Sequence, residues 1–408
     1  MDDGRHFKND FDSYVPGMEK EFYDQLGNCT NQWKKKLMES IYAYLRKLED
    51  GLSLQHHRLS GSVYGGSGGI ALTYLQLSKM MQDGYSQNYL RKAENLLQVS
   101  FKHLKDKNQV SFMSGVAGLL AIACVIYDRM GDKNRKAECL KQLRRLSNLC
   151  QNESLPDELL TGRIGYVYAM KFIEYHLSCE EQQIIDEVIK IVINSGMNYA
   201  QVNSCHSTLM YKWHDKEYIG AAHGLAGILY LLLKDKSKSA AVQENLSVIK
   251  GGIDFILSIQ FREGNFPSSL GNSRDRLVHW CHGAPGIVYL LCEAHKVFNE
   301  IKYLDAAKTC ARAIWQRGLL YKGYGLCHGV AGNGYAFLCI YKTTTDPTYL
   351  YMACKFAEWC MDSSSGHART ADRPISLMEG LSGTIYFLTD MLNISNAAFP
   401  AFQIPNTS

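Results

Sequence analysis

The chain has 408 residues, of which 46% are hydrophobic and 21% charged, with 44 basic against 40 acidic side chains. These values are ordinary for a globular protein. The net charge of +4 is too small to indicate nucleic acid or an anionic membrane as a partner. No apolar stretch approaches the roughly 18 residues that a membrane-spanning helix needs, so we expect no transmembrane segment.

Two residue counts are unusual: the chain has only 8 prolines and as many as 13 cysteines. Scarce proline favours helices, whose interiors exclude it. The N-terminal stretch Met1-Asp2-Asp3-Gly4-Arg5 contains neither a signal-peptide core nor the glycine needed for myristoylation, and Pro405-Asn406-Thr407-Ser408 is no prenylation signal. We therefore expect a cytoplasmic protein with reduced thiols.

After a helical lead-in over residues 1–60, a pair of glycines three residues apart, followed by an apolar run, recurs seven times. The first glycines of the pairs are Gly66, Gly115, Gly162, Gly224, Gly283, Gly329 and Gly380. Their spacing of 46 to 62 residues fits two helices and two loops. We predict one domain over residues 1–408, with seven helical hairpins in 61–395 and a tail in 396–408.

Each hairpin is predicted to pair an apolar inner helix with an amphipathic outer one. The stretch from Tyr349 to Met361 is typical of the outer helices, because its apolar residues fall on one face and Lys355 and Glu358 on the other. Seven hairpins can form an open solenoid or a closed ring. The lack of a polar capping repeat at either end favours the ring.

The residues just before the first glycine differ between repeats and carry the chemistry. Repeat 4 has His223, repeat 5 has Cys281-His282 and repeat 6 has Cys327-His328. Equivalent positions of a ring lie at the same end, so we expect these side chains to converge. Two cysteines and one histidine suit a catalytic zinc with one open position. Spacing alone leaves open which histidine binds, and buried cysteines with helix-capping histidines are the alternative.

Longer motifs around these residues resemble the lanthionine synthetase C (LanC) family. They are Ala221-Ala222-His223-Gly224-Leu225-Ala226-Gly227, Trp280-Cys281-His282-Gly283-Ala284-Pro285-Gly286, Gly325-Leu326-Cys327-His328-Gly329 and Glu379-Gly380. The resemblance covers essentially the whole chain. It is closest to the eukaryotic LanC-like proteins, including the ending Phe399-Pro400-Ala401-Phe402.

The resemblance implies an all-α fold, the α/α toroid of seven inner and seven outer helices. It also implies a zinc ion held by Cys281, Cys327 and His328, with His282 outside the ligand set and His223 beside the metal as acid or base. Arg5 and Arg163 match basic positions that face the active site of the family, where a cation steadies an enolate or receives a phosphate.

Bacterial members of the family cyclise peptides by adding a cysteine thiolate to dehydroalanine or dehydrobutyrine, and eukaryotic relatives add glutathione to these residues in proteins. The glutathione-contacting positions are matched here by Lys322 and by Arg369-Thr370-Ala371-Asp372, in which Ala371 replaces a proline. Lys322 and Arg369 suit the two carboxylates of glutathione, and Asp372 suits its amine. We thus expect a zinc-dependent enzyme that forms thioethers.

Three other functions are alternatives to a thioether-forming enzyme. A non-catalytic protein that binds zinc and glutathione, for regulation or redox sensing, is the main alternative; the eight prolines form no P-x-x-P ligand for SH3 domains. A helical-toroid glycosidase needs paired carboxylates, whereas the repeat starts supply mainly Glu379. A protein prenyltransferase usually has a carboxylate among its zinc ligands, which the two Cys-His-Gly motifs lack.

Overall fold

The computed structural model describes residues 4–55, 59–81, 84–104, 109–362 and 369–404. The described part of the chain contains fifteen α-helices, two 3₁₀ turns and isolated bridges but no strand. None of these helices is both long and apolar enough to span a membrane. The last four residues of the tail predicted over 396–408 lie outside the described ranges.

Seven helices are the predicted inner helices, and each begins directly after the first glycine of a pair. They are α2 (Ser67–Met80), α4 (Val116–Arg129), α6 (Arg163–Leu177), α8 (Leu225–Lys234), α11 (Ala284–Phe298), α13 (Val330–Thr344) and α15 (Leu381–Asp390). They are apolar nearly all round. Eleven of the fourteen residues of α4 are buried, for example, so these helices form the core.

Seven further helices take the outer positions, and a short α9 (Ala240–Glu244) follows α8 in the chain. The outer helices are α1 (Asn31–Gln55), α3 (Ser86–His103), α5 (Lys133–Arg145), α7 (Gln182–Val202), α10 (Leu246–Ser258), α12 (Ile301–Arg317) and α14 (Pro347–Met361). Their exposure follows the amphipathic pattern. Only Leu143 is buried in α5.

The described residues form two compact units, one of those up to residue 103 together with those from 311 onward, and the other of those within 104–310. In the first unit, α15 packs against α2, α13 and α1. The lead-in helix α1 therefore serves as the outer helix of the seventh repeat. In the second unit, α4 packs against α6, α6 against α8, and α8 against α11, with α5, α7 and α10 packed outside α4, α6 and α8. The single domain over 1–408 stays a prediction.

Buried polar contacts tie neighbouring inner helices together. The Asp390 carboxylate at the end of α15 accepts hydrogen bonds from Gln76 of α2, at 2.7 Å, and from Tyr335 of α13, at 2.8 Å. Burial raises the pKa of Asp390 to about 6, although these bonds oppose the shift. In the second unit, Lys171 of α6 forms a buried ion pair with Asp235 at the end of α8.

One backbone hydrogen bond recurs at the start of the inner helices. The first helical N–H donates to the carbonyl seven residues earlier, so the preceding loop folds back onto the first turn. The pairs are Ser67 to Ser60, Val116 to Gln109, Arg163 to Pro156, Leu225 to Tyr218, Val330 to Gly323 and Leu381 to Pro374, at 2.8–3.0 Å. In the remaining repeat, Ala284 donates instead to the side-chain oxygen of Asn265 at 2.8 Å.

The second glycine of the pair permits this close approach. A Cβ on Gly69 would lie 2.1 Å from the carbonyl oxygen of Val63 and 2.6 Å from Cβ of Leu377. On Gly332 it would lie 1.8 Å from the carbonyl oxygen of Leu326. Both contacts are far below the van der Waals distance, and the atoms met are backbone or near-backbone atoms that cannot move aside.

We expect Gly69→Ala to lower the free energy of unfolding by about 1–3 kcal/mol, because the loop must move away from α2. The measurement is urea denaturation followed by circular dichroism. Gly252→Ala is the control, since a Cβ there comes no closer than 3.2 Å to any atom, and that atom is the end of the Leu229 side chain. Alanine also favours a helix. Equal stability of Gly69→Ala and wild type would contradict the steric explanation.

Candidate active site

The residues predicted to carry chemistry lie in the loops that fold back onto the inner helices. His223 directly precedes Gly224 and α8, His282 precedes Gly283 and α11, and His328 precedes Gly329 and α13. At α8 and α13 the backbone bond at the helix start holds these positions by main-chain atoms, and at α11 the Asn265 side chain takes its place. Their side chains can therefore differ between repeats without a change of local fold.

Cys281, Cys327 and His328 are a group of side chains able to hold a metal ion. Their ligand atoms all lie within 4.8 Å of one another, and both cysteines are buried. Among the described residues no other group of three or more His, Cys, Asp or Glu side chains meets this description. Two thiols and one imidazole are the donor types that zinc prefers, so the residues present fit this metal.

The His328 imidazole interacts directly with its neighbour in the chain. Burial lowers the pKa of His328, but the hydrogen bond and negative charge of Cys327, together with the charge of Glu379, raise it above its ordinary value. The predicted non-ligand His282 lies instead near His223, with the two ring centres 6.5 Å apart.

His223 is held by two contacts that the sequence did not predict. Its Nδ1 donates to the Glu158 carboxylate at 2.8 Å. Its ring stacks on Trp213, with the centroids 3.9 Å apart and the planes inclined by 8°. Together these contacts fix both the position and the tilt of the imidazole and leave Nε2 as the nitrogen that can exchange a proton.

Glu158 is itself held rigidly at 2% exposure. Its carboxylate accepts hydrogen bonds from the backbone N–H groups of Leu160, at 2.8 Å, and Thr161, at 2.6 Å. Serines in other repeats make the equivalent bond: Ser111 four residues before Gly115 and Ser376 four residues before Gly380. Aligning the seven loops on their glycines would therefore have singled out Glu158 as the acidic exception.

Arg163 is the first residue of α6 and is almost wholly buried. Its guanidinium is buried and donates to the carbonyl oxygens of Cys150, Leu155 and Asn152 at 2.6–2.8 Å. It also forms an ion pair with Asp157 at 2.6 Å. These partners use its hydrogen-bonding capacity, so the structure gives Arg163 the role of tying the preceding loop to α6.

That structural role still serves the site, because Asp157 is the neighbour of Glu158 in the chain. By holding Asp157, Arg163 fixes the loop from which Glu158 reaches His223. The catalytic role of Arg163 stays a prediction, and its contacts support in addition a role in positioning this loop.

Arg5 lies on a chain segment that is paired by backbone hydrogen bonds. The Tyr321 N–H donates to the Arg5 carbonyl at 3.1 Å, and the Arg369 N–H donates to the Tyr321 carbonyl at 2.7 Å. Lys322 follows directly in the chain. The structure thus places Arg5, Lys322 and Arg369, three of the predicted cations, on adjacent segments of the first unit.

Arg369, Thr370 and Ala371 line a cavity of about 280 Å³. The rest of the lining comes from α1, from the loop at residues 323–325, from the loop between Ala371 and α15, and from the start of α15. The Arg369 guanidinium pairs with Asp372 at 2.9 Å, and both side chains are largely exposed. Lys322 and Asp372 are not part of the lining.

Comparison with known proteins identifies the family. The family described as lanthionine synthetase C-like protein matches residues 57–404. This chain belongs to the lanthionine synthetase C-like family. A relative from Danio rerio named glutathione S-transferase LANCL1 is 41% identical over 411 residues, covering 99% of this chain and 100% of that protein. The predicted eukaryotic LanC-like membership is thereby confirmed.

The LanC fold is also found by comparison of structures. Nisin cyclase superposes with a TM-score of 0.66 at 19% sequence identity, and the match covers 89% of this chain and 95% of the cyclase. At this identity the likeness concerns the fold alone. With seven inner and seven outer helices in the described chain, it confirms the prediction of an all-α protein with the α/α toroid fold.

We expect Arg163→Met to lower the free energy of unfolding of this LanC-like protein by about 3–5 kcal/mol, because the Asp157 carboxylate stays buried without its partner. Chemical denaturation measures the change. Arg135→Met is the control, since its exposed pair with Asp132 contributes about 0–1 kcal/mol. An Arg163→Met protein with wild-type stability but no activity would contradict the structural role and support the catalytic one.

Proposed function

We propose that this LanC-like protein is a zinc-dependent enzyme that adds the thiolate of glutathione to dehydroalanine or dehydrobutyrine residues of proteins or peptides. The group formed by Cys281, Cys327 and His328 is the observation that carries the proposal. The relative named glutathione S-transferase, which matches the chain from end to end, supports glutathione as the thiol.

Cys281, Cys327 and His328 would hold the zinc ion. When bound there, zinc lowers the pKa of a thiol so that a thiolate is available at neutral pH. Two thiolate ligands balance the charge of Zn²⁺, and three protein ligands leave a fourth position open, which is the arrangement of catalytic rather than structural sites.

His223 is the proposed acid. Attack of the glutathione sulfur on the β-carbon forms the C–S bond, and the electron pair of the carbon–carbon double bond moves onto the carbonyl oxygen. The Nε2–H of His223 then protonates the α-carbon, and the imidazole regains the proton that the thiol released. Glu158 accepts the hydrogen bond from Nδ1–H and so keeps the ring oriented for this transfer. The reaction adds S–H across the double bond without an oxidant or reductant.

The cations of the first unit bind the charged ends of the reactants. We propose that Lys322 and Arg369 contact the carboxylates of glutathione, that Asp372 contacts its ammonium, and that Thr370 and Ala371 form the wall between them. The cavity lined by Arg369, Thr370 and Ala371 supports the part of this assignment that concerns these three residues. Arg5, on the segment paired with Tyr321, is the proposed cation for the enolate.

Cys281→Ala is expected to lose bound zinc and to lower the rate of adduct formation at least about 100-fold, since one of three protein ligands is removed. Zinc is measured by atomic emission, and the adduct of glutathione with a dehydroalanine peptide by mass spectrometry. Cys292→Ala, a buried cysteine of α11, is the control. Full zinc content and activity in Cys281→Ala would refute the proposal. Zinc and glutathione binding by the wild type without adduct would favour the regulatory alternative.

His223→Asn is expected to lower kcat about 10²- to 10⁴-fold while glutathione binding stays unchanged, because only proton transfer is lost. Glu158→Gln keeps the shape but not the charge and should give a smaller loss of kcat. Steady-state kinetics and calorimetric titration with glutathione measure the two effects. His206→Asn, a histidine outside the site residues assigned above, controls for the loss of an imidazole. Wild-type kcat in His223→Asn would remove it from the mechanism.

A further inference from the structure

The cavity beside Arg369 has one wall that no sequence motif marks. Tyr44 and Lys47, one turn apart on α1, line it together with the Arg369 loop and the first turn of α15. Its volume of about 280 Å³ lies near the lower end of the range for small-molecule sites, which suits a tripeptide. The lead-in helix α1 thus contributes to a binding site besides covering α15.

Tyr44 is a rigid part of this wall. It is buried, and its hydroxyl donates to the carbonyl oxygen of Cys360 at 2.6 Å, which ties α1 to the end of α14. The Lys47 ammonium lies 5.4 Å from the centre of the Tyr44 ring. A cation at this distance from a fixed aromatic ring is held near the cavity by an attraction that does not neutralise its charge.

Lys47 differs from the other charged residues of the cavity region. Arg369 is paired with Asp372, and Glu379 is the one carboxylate among the lining residues. Lys47 forms no ion pair with any carboxylate of the described chain, whereas Lys36 and Lys92 nearby pair with Glu358 and Glu49. The cavity wall therefore presents one positive charge without an acidic partner.

The charge pattern matches one more feature of glutathione. Its γ-glutamyl end carries both an ammonium, which suits Asp372, and a carboxylate, which suits Lys322 and Arg369 together. Its glycyl end carries a lone carboxylate, which needs a lone cation. Resting on the proposed function, we propose that Lys47, supported by Tyr44, binds the glycyl carboxylate of glutathione and so sets the preference for the free tripeptide acid.

The test compares glutathione with its glycyl monoethyl ester, which lacks only that negative charge. Calorimetric titration of the zinc-loaded wild type is expected to show about 10- to 100-fold tighter binding of glutathione than of the ester, as for a hydrogen bond between charged groups. Lys47→Met should bind both ligands equally, at the affinity of the ester. In the adduct assay its KM for glutathione should rise while kcat stays unchanged.

Lys35→Met is the matched control, because Lys35 is an exposed lysine of the same helix outside the cavity. It should keep the wild-type preference. Lys47→Met that still prefers glutathione over the ester, or that weakens both ligands equally, would overturn the inference. In that case loss of glutathione binding in Arg369→Met would leave the proposed function standing. Failure of the wild type to bind glutathione would overturn both.

Discussion

The backbone hydrogen bond at the start of the inner helices is the constraint on which the site depends. It closes a loop between the first helical N–H and a carbonyl seven residues earlier, in six of the seven repeats. Because the bond joins main-chain atoms, it requires no particular side chain within the loop except glycine at the two points of close approach. The same loop conformation therefore recurs between repeats, while the side chains just before the first glycine differ.

Equivalent positions of these loops carry different side chains in different repeats. Where other loops carry serine to bond a backbone N–H, the third loop carries Glu158, whose carboxylate makes the same bonds and also reaches His223. A buried carboxylate is costly unless its hydrogen bonds are satisfied, and the loop itself supplies the donors. Arg163 contributes in the same region by tying its loop to α6 through four hydrogen bonds.

The N-terminal helix α1 has two structural roles. Helix α1 covers α15, the last inner helix, and its Tyr44 and Lys47 line the cavity beside Arg369. The beginning of the chain and its final repeat therefore depend on each other for burial of apolar surface. Lys47 of this helix lies far from the motifs in the sequence, so no motif marks it as part of the cavity.

The sequence by itself determined the helix pattern and the family. The glycine pairs marked the start of all seven inner helices, because close backbone approach excludes any other residue there, and the motifs around Cys281 and Cys327 singled out the metal-binding candidates. Only the tertiary structure decided what surrounds them. Glu158 and Trp213 hold His223. The Arg163 guanidinium donates hydrogen bonds to carbonyl groups. Lys47 lines a cavity. Such roles arise from contacts between residues distant in the chain, which leave no local periodicity or spacing to read.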